Sequence, residues 1–68
     1  MTPMEKLFNE TLERLRARGV TPVVYRLKIQ PNTIRIGDEE EFRFYQELGF
    51  HPKRDRLRKS DTAVGVNI

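Results

Sequence analysis

The chain has 68 residues, of which 34% are charged and 37% hydrophobic, and its formal net charge is +3. A chain of this length forms one small domain that buries about 60% of its unfolded surface, so we expect residues 1–68 to be a single domain. Cysteine is absent and histidine occurs once, which argues against disulfides, thiolate sites and histidine metal clusters. We therefore expect no metal and no cofactor. No stretch approaches the ~18 apolar residues of a membrane span, and the N-terminus lacks a signal-peptide core, so we expect a cytoplasmic location.

A first helix is predicted over residues 2–18. Thr2-Pro3-Met4-Glu5 has the capping-box pattern with proline at the first helical position, and Gly19 is a typical helix end. One face carries apolar side chains at helical spacing, namely Met4, Leu7, Phe8, Leu12 and Leu15. The opposite face is charged, so we expect this helix to be structural.

A β-hairpin is predicted over residues 22–37, because alternate positions along residues 23–30 form an apolar set and a mostly polar set. The apolar set is Val23, Tyr25, Leu27 and Ile29, and the other is Val24, Arg26, Lys28 and Gln30. A two-residue turn at Pro31-Asn32 sets Leu27 opposite Ile36. This register predicts one outer, solvent-facing surface that carries Arg26, Lys28, Gln30, Thr33 and Arg35. Such side chains bind base edges and phosphates, and a two-stranded ribbon fits the DNA major groove. A polar outer face is equally typical of any solvated hairpin.

A second helix is predicted over residues 39–48. Asp38 is its expected N-cap and Glu41 the third helical residue, a second capping pattern. The acidic run in the first turn is favoured by the helix dipole, so a metal-binding role is not needed to explain it. Gly49 is expected to end the helix, and the side chains predicted to face the core are Phe42, Tyr45 and Leu48.

The C-terminal third is basic and then apolar. Residues 51–59 are predicted to form a short basic helix or loop, with phosphate-binding side chains at Lys53, Arg54, Arg56 and Arg58. Residues 61–68 are expected to be a loose tail or to contain a short strand. The predicted fold class is α+β, in the order helix, antiparallel hairpin, helix, basic segment and C-terminal strand, with both helices on one face of the hairpin.

Four segments between residues 12 and 59 occur in an order that resembles the second half of a LAGLIDADG homing-endonuclease domain. They are the helix end Arg18-Gly19-Val20, the two strands with alternating basic residues, the string Phe44-Tyr45-Gln46-Glu47-Leu48-Gly49-Phe50 and the basic segment that ends at Leu57. The family's LAGLIDADG helix, with its metal-binding acidic residue, has no counterpart here. The resemblance therefore implies the DNA-binding sheet without the nuclease, with contacts at Arg26, Lys28, Gln30 and Arg35, and Lys53 or Arg54 on the phosphate backbone.

Two functions follow as hypotheses. The first is a small nucleic-acid-binding protein without enzymatic activity, which favours DNA over RNA and forms a homodimer that enlarges its thin core. The alternative is a protein-protein interaction module, such as an inhibitor, adaptor or accessory subunit, that uses the hairpin edge or the aromatic helix. An enzyme is not expected, since no Ser/His/Asp or Cys/His set and no glycine-rich phosphate loop can be assigned.

Overall fold

The structure, a computed structural model, describes residues 2–66. The predicted α+β class is confirmed, with two helices and a four-stranded mixed sheet. In chain order the elements are α1 (Pro3–Ala17), β1 (Val23–Arg26), β2 (Thr33–Gly37), α2 (Glu39–Glu47), β3 (Lys53–Arg54) and β4 (Ala63–Val66).

Both helices begin where the sequence predicts. The Thr2 hydroxyl accepts a hydrogen bond from the Glu5 N–H at 3.1 Å, and the Glu5 carboxylate accepts one from the Thr2 N–H at 3.4 Å. The Asp38 carboxylate accepts the Glu41 N–H at 2.8 Å. These bonds satisfy amides that a helix N-terminus leaves unpaired, so the two capping predictions are confirmed.

The hairpin register differs from the predicted one. Antiparallel pairing sets Val24 opposite Ile36 and Tyr25 opposite Arg35, whereas the two-residue turn would have set Leu27 opposite Ile36. The shift is odd, and an odd shift moves every side chain of one strand to the other face of the sheet. As a result, Arg35 shares a face with Tyr25.

The odd shift gives the sheet two buried faces. On one face Tyr25 packs against α2, with its ring centroid 5.7 Å from that of Phe42. On the other face Ile34 and Ile36 are fully buried, together with the Leu15 side of α1. The prediction that both helices pack on one face of the hairpin is therefore wrong, and the helices lie on opposite faces.

The sheet order is β3-β1-β2-β4. β3 pairs antiparallel with β1, and β4 pairs parallel with β2. β4 decides the open question about the C-terminal stretch as far as Val66, while Asn67 and Ile68 lie outside the described residues. Residues 55–62 contain no helix, so the basic segment is a loop that follows a two-residue strand. Neither of the two described helices has the length and apolar character needed to cross a membrane.

Candidate nucleic-acid interface

Arg26, predicted to face solvent, instead lies at the centre of a buried ion-pair network, and its side chain is 10% exposed. Its Nε donates to Asp55 Oδ2 at 2.8 Å, its Nη2 donates to Asp61 Oδ2 at 3.0 Å, and its Nη1 also donates to Asp61. The carbonyls of Pro31 and Arg56 accept further hydrogen bonds at 2.8 and 3.2 Å. These contacts use all five guanidinium donors. Arg26 therefore has no donor left for a phosphate or a base edge.

The two carboxylates of this Arg26 network also hold the loop of residues 55–61. The Asp61 side chain is 0% exposed and accepts the Arg58 N–H at 2.7 Å. The Asp55 carboxylate lies 3.1 Å from Arg58 Nη2. Hydrogen bonds from Arg26 hold the pKa of both carboxyl groups below the ordinary aspartate value. The loop is thus fixed to β1 by charged groups that stay ionised at neutral pH.

Arg35 and Gln30, also predicted to lie on the outer hairpin surface, face α2 instead. Arg35 donates from Nε to Tyr25 Oη at 3.2 Å, from Nη1 to Gln30 Oε1 at 3.1 Å and from Nη2 to Tyr45 Oη at 3.0 Å. Its guanidinium carbon lies 5.0 Å from the centroid of the Tyr45 ring, a cation–π distance. Burial raises the pKa of Tyr25 to about 12, so its hydroxyl stays protonated. This cluster joins α2 to the sheet, and the odd register shift is what brings it together.

A basic cleft of about 510 Å³ lies beside β3. We define the basic cleft by four of the side chains that line it, which are Lys28, His51, Lys53 and Arg58. Arg26 and its carboxylate partner Asp55 also line it. Lys28 and Lys53 are exposed, and within residues 2–66 neither lysine forms an ion pair. The cleft thus brings together Lys28, predicted as a base contact, with Lys53 and Arg58, predicted as phosphate contacts. They come from the hairpin loop, β3 and the loop of residues 55–61.

The other predicted contacts lie elsewhere. Arg54 is on the α2 side, where its Nη2 donates to Glu39 Oε2 at 2.7 Å and its guanidinium carbon lies 4.8 Å from the Phe42 ring centroid. Arg56 is exposed and lines a separate cavity of about 650 Å³ against the first turns of α1. Thr33 is half-buried at the start of β2. None of these three side chains lines the basic cleft.

His51 is the cleft residue that the sequence did not single out. Its φ of 51° is in the left-handed region, two residues after Gly49 at 82°. Histidine is one of the non-glycine residues that adopt this conformation more readily. Two sequence features indicate a tight turn at His51. Gly49 ends α2, and Pro52 restricts the backbone of the residue before it. The turn directs the chain from α2 into β3 and places the imidazole at the cleft.

The acidic run at the start of α2 has the structural role that the sequence suggested. Asp38 caps the helix, and three glutamates occupy its first turn, where the helix dipole favours negative charge. Among residues 2–66, no three histidine, aspartate or glutamate side chains are grouped so that they could hold a metal ion.

Comparison with known proteins found no match to a family model, to a curated protein or to a solved structure. The resemblance to a LAGLIDADG half-domain therefore rests on the sequence motifs alone. Among the described residues, the basic cleft combines a concave surface with exposed positive charge.

Proposed function

We propose that the protein binds nucleic acid through the basic cleft, by contacts with the sugar-phosphate backbone and without enzymatic activity. The observation that carries the proposal is the convergence of Lys28, Lys53 and Arg58 on one cleft. Lysine and arginine are the main donors to phosphate oxygens, and phosphate and sugar receive half or more of the hydrogen bonds in protein–DNA complexes. The Arg26 network supports the proposal further, because it fixes the loop that carries one of these cations.

The mode of binding differs from insertion of a ribbon into the major groove. Helices cover both faces of the β1–β2 hairpin, and Arg26 and Arg35 use their donors inside the protein. Direct contact with base edges needs side chains free to enter a groove. The proposal is therefore sequence-independent binding, with duplex DNA as the first ligand to test and a cytoplasmic location as its setting.

The number of cleft cations sets the expected strength of binding. Each phosphate contact on B-DNA contributes about −0.9 to the slope of log K against log salt. Two or three contacts give a slope of about −2 to −3, so affinity should fall about 10- to 40-fold between 50 and 200 mM salt. The protein is thus expected to be a weak, salt-sensitive binder as a single copy.

The test compares two double variants that remove the same charge. Lys28→Gln/Lys53→Gln neutralises the basic cleft, while Lys6→Gln/Arg14→Gln neutralises two exposed cations on α1. Fluorescence anisotropy with a labelled duplex of ~20 base pairs is measured from about 50 to 200 mM salt. The cleft variant should lose about 1.8 units of slope and at least tenfold in affinity at ~50 mM salt, and the α1 variant should keep the wild-type slope.

Two outcomes would overturn the proposal. Equal losses in both double variants would mean that overall charge attracts DNA and that the cleft is not the site. A wild-type protein that binds neither duplex DNA, single-stranded DNA nor RNA at ~50 mM salt would exclude nucleic-acid binding altogether. Circular dichroism of both variants checks that the fold is intact, since all four side chains are exposed.

A second candidate function has one observation in its favour. Phe44 on α2 and Leu48, the C-cap of that helix, lie one turn apart and are each 55% exposed, so the prediction that Leu48 faces the core is wrong. Large apolar side chains on one exposed helix face are typical of protein interaction sites. This is the aromatic helix of the alternative hypothesis. We propose protein binding through α2 as the function that remains if the DNA and RNA measurements are all negative.

A further inference from the structure

The basic cleft is more than a cationic surface, because part of its wall is apolar. Leu27 and Pro31 line it beside the cations, and His51 contributes a ring. Its volume of about 510 Å³ lies within the ~300–1,000 Å³ of pockets that enclose small organic ligands. Contacts with duplex phosphates require positive charge but no apolar wall. The cleft therefore has the space and the surface for a flat organic group as well as for phosphates.

The His51 ring has no structural partner in the described part of the chain. His51 is exposed, and no side-chain hydrogen bond or ion pair within residues 2–66 involves its imidazole. Both ring nitrogens and the ring faces are thus available to a ligand. Nothing in the packing of the domain requires an aromatic ring at this position.

The backbone at His51 is strained on two counts. Its φ of 51° is the one positive value among the non-glycine residues of the range 2–66. A residue before proline normally adopts an extended φ near −120°, and Pro52 follows directly. Strained backbone is concentrated at binding and catalytic sites. A free ring and a strained backbone thus coincide at one residue of the cleft, which indicates a role in binding.

We propose that the basic cleft holds one unpaired base of a single-stranded nucleic acid, stacked on the imidazole of His51, with Lys28 and Lys53 on the flanking phosphates. Histidine is among the side chains on which unstacked bases stack. The Cα atoms of His51 and Lys53 are at most about 7 Å apart, two residues along the chain. Ring and ammonium group can therefore contact the base and a phosphate of the same nucleotide.

This inference rests on the proposed nucleic-acid binding and names single strands as its ligand. In a duplex the bases are paired and stacked, so a base reaches a pocket only after the cost of flipping it out. A single strand presents its bases without that cost. The carboxylate in the cleft wall does not oppose a phosphate strongly, because Asp55 is neutralised by Arg26 at 2.8 Å.

The size of the effect follows from stacking. One base stacked on an aromatic side chain typically raises affinity by about 5- to 150-fold. Imidazole is a small ring, so we expect a gain of about fivefold, at the lower end of this range. Phosphate contacts on single strands contribute about −0.7 each to the salt slope, and they are independent of the base.

The test separates bases from phosphates. An oligothymidylate of ~20 nucleotides is compared with an oligomer of the same length in which abasic sugars replace most nucleotides, which keeps the phosphates and removes the bases. Fluorescence anisotropy at ~50 mM salt should show about fivefold or more tighter binding of the oligothymidylate by the wild type. An oligouridylate of the same length presents the same chemistry on RNA.

Three variants assign the effect to one side chain. His51→Asn removes the ring and keeps a residue that tolerates positive φ, so it should bind both DNA oligomers equally, with an unchanged salt slope and an unchanged urea midpoint. Lys53→Gln should lose about 0.7 units of slope and keep the preference for bases. Phe44→Gln is the matched control, because Phe44 is an aromatic residue outside the cleft and 55% exposed. It should keep both the slope and the preference.

The outcomes distinguish this inference from the proposed function. Equal wild-type binding of the oligothymidylate and the abasic oligomer would overturn the inference and leave backbone binding intact. Binding of neither oligomer, of no RNA and of no duplex would overturn both. A preference that survives in His51→Asn, or a lower urea midpoint of that variant, would exclude His51 as the stacking surface. Whichever of the oligothymidylate and the oligouridylate loses more affinity in His51→Asn identifies the ligand as DNA or RNA, and either loss supports the proposal.

Discussion

Replacement of Arg26 by alanine should cost more stability than any other single loss of charge in the described chain. Domains have about 0.05–0.15 kcal/mol of stability per residue, so a chain of 68 residues has about 3–10 kcal/mol. Removing one partner of a buried ion pair costs about 3–5 kcal/mol, because the other charge stays buried without compensation. Here the Asp61 side chain is 0% exposed, and two backbone carbonyls lose their donor as well. We expect Arg26→Ala to lose about 3–5 kcal/mol of this stability.

Urea denaturation followed by circular dichroism measures this cost, and Arg54→Ala is the matched control. Arg54 is also a sheet arginine with a carboxylate partner, Glu39, but both side chains are exposed. Exposed ion pairs contribute about 0.2–1 kcal/mol. Since urea slopes of small proteins are about 1 kcal/mol per molar, the Arg26→Ala midpoint should fall by about 3 M or more, and that of Arg54→Ala by about 1 M or less.

A rescue separates the unpaired charge from lost packing. In an Arg26→Met background, Asp61→Asn removes the buried charge and should restore part of the stability. An Arg26→Ala protein within about 1 kcal/mol of the wild type would refute the view that this network holds the domain together. A failure of Asp61→Asn to improve Arg26→Met would show that the uncompensated carboxylate is not the cause of the loss.

Two further predictions concern the same polar interior. The pKa values of Asp55 and Asp61 are lower in the folded than in the unfolded protein, so their contribution is fully present above about pH 4 and is lost as pH falls through the folded pKa values. Unfolding free energy measured from pH 5 to 2 should therefore fall in the wild type, and should fall less steeply or rise in Arg26→Met, where the carboxylates have lost their cation. Arg35→Met removes three donated hydrogen bonds and should cost about 2–3 kcal/mol in urea denaturation. Lys53→Met, at an exposed side chain, should change stability by less than about 0.5 kcal/mol, and equal effects of the two changes would contradict the assignment of Arg35 to the interior.

The parts of the fold that could be predicted from sequence are local. Helix starts depend on groups three residues apart, as in the bond between Thr2 and Glu5, and both helix ends follow from glycines at positive φ, Gly19 and Gly49. Such signals lie within one turn of the chain. The α+β class followed from the order of these local elements.

The hairpin register depends on which residues of two strands pair, and the alternation within one strand does not determine that pairing. The alternating pattern continues to Ile29, but β1 ends at Arg26 and residues 27–32 form turns, so Ile29 is 66% exposed. A pattern of period two fixes which side chains share a face of one strand, while the turn decides which face of the partner they meet. One residue did signal the outcome, because Val24 is an apolar side chain on the face assigned to solvent.

A second long-range effect explains why Arg26, a predicted base-contacting side chain, is structural instead. Asp55 and Asp61 are acidic residues within and just after a strongly basic segment, and both are partners of Arg26. An acidic residue in a cationic run can balance a buried cation from a distant strand, and sequence alone does not reveal which one. Too many side chains were therefore predicted to face solvent, because pairing with residues distant in sequence decides which of them are buried.

The number of unpaired cations in the basic cleft limits how strongly one copy of the protein can bind nucleic acid. Arg58 is shared with Asp55, which leaves Lys28 and Lys53 as the cleft cations without an ion pair in residues 2–66. Two free charges give one copy a salt slope of about −2, too weak for tight binding on its own.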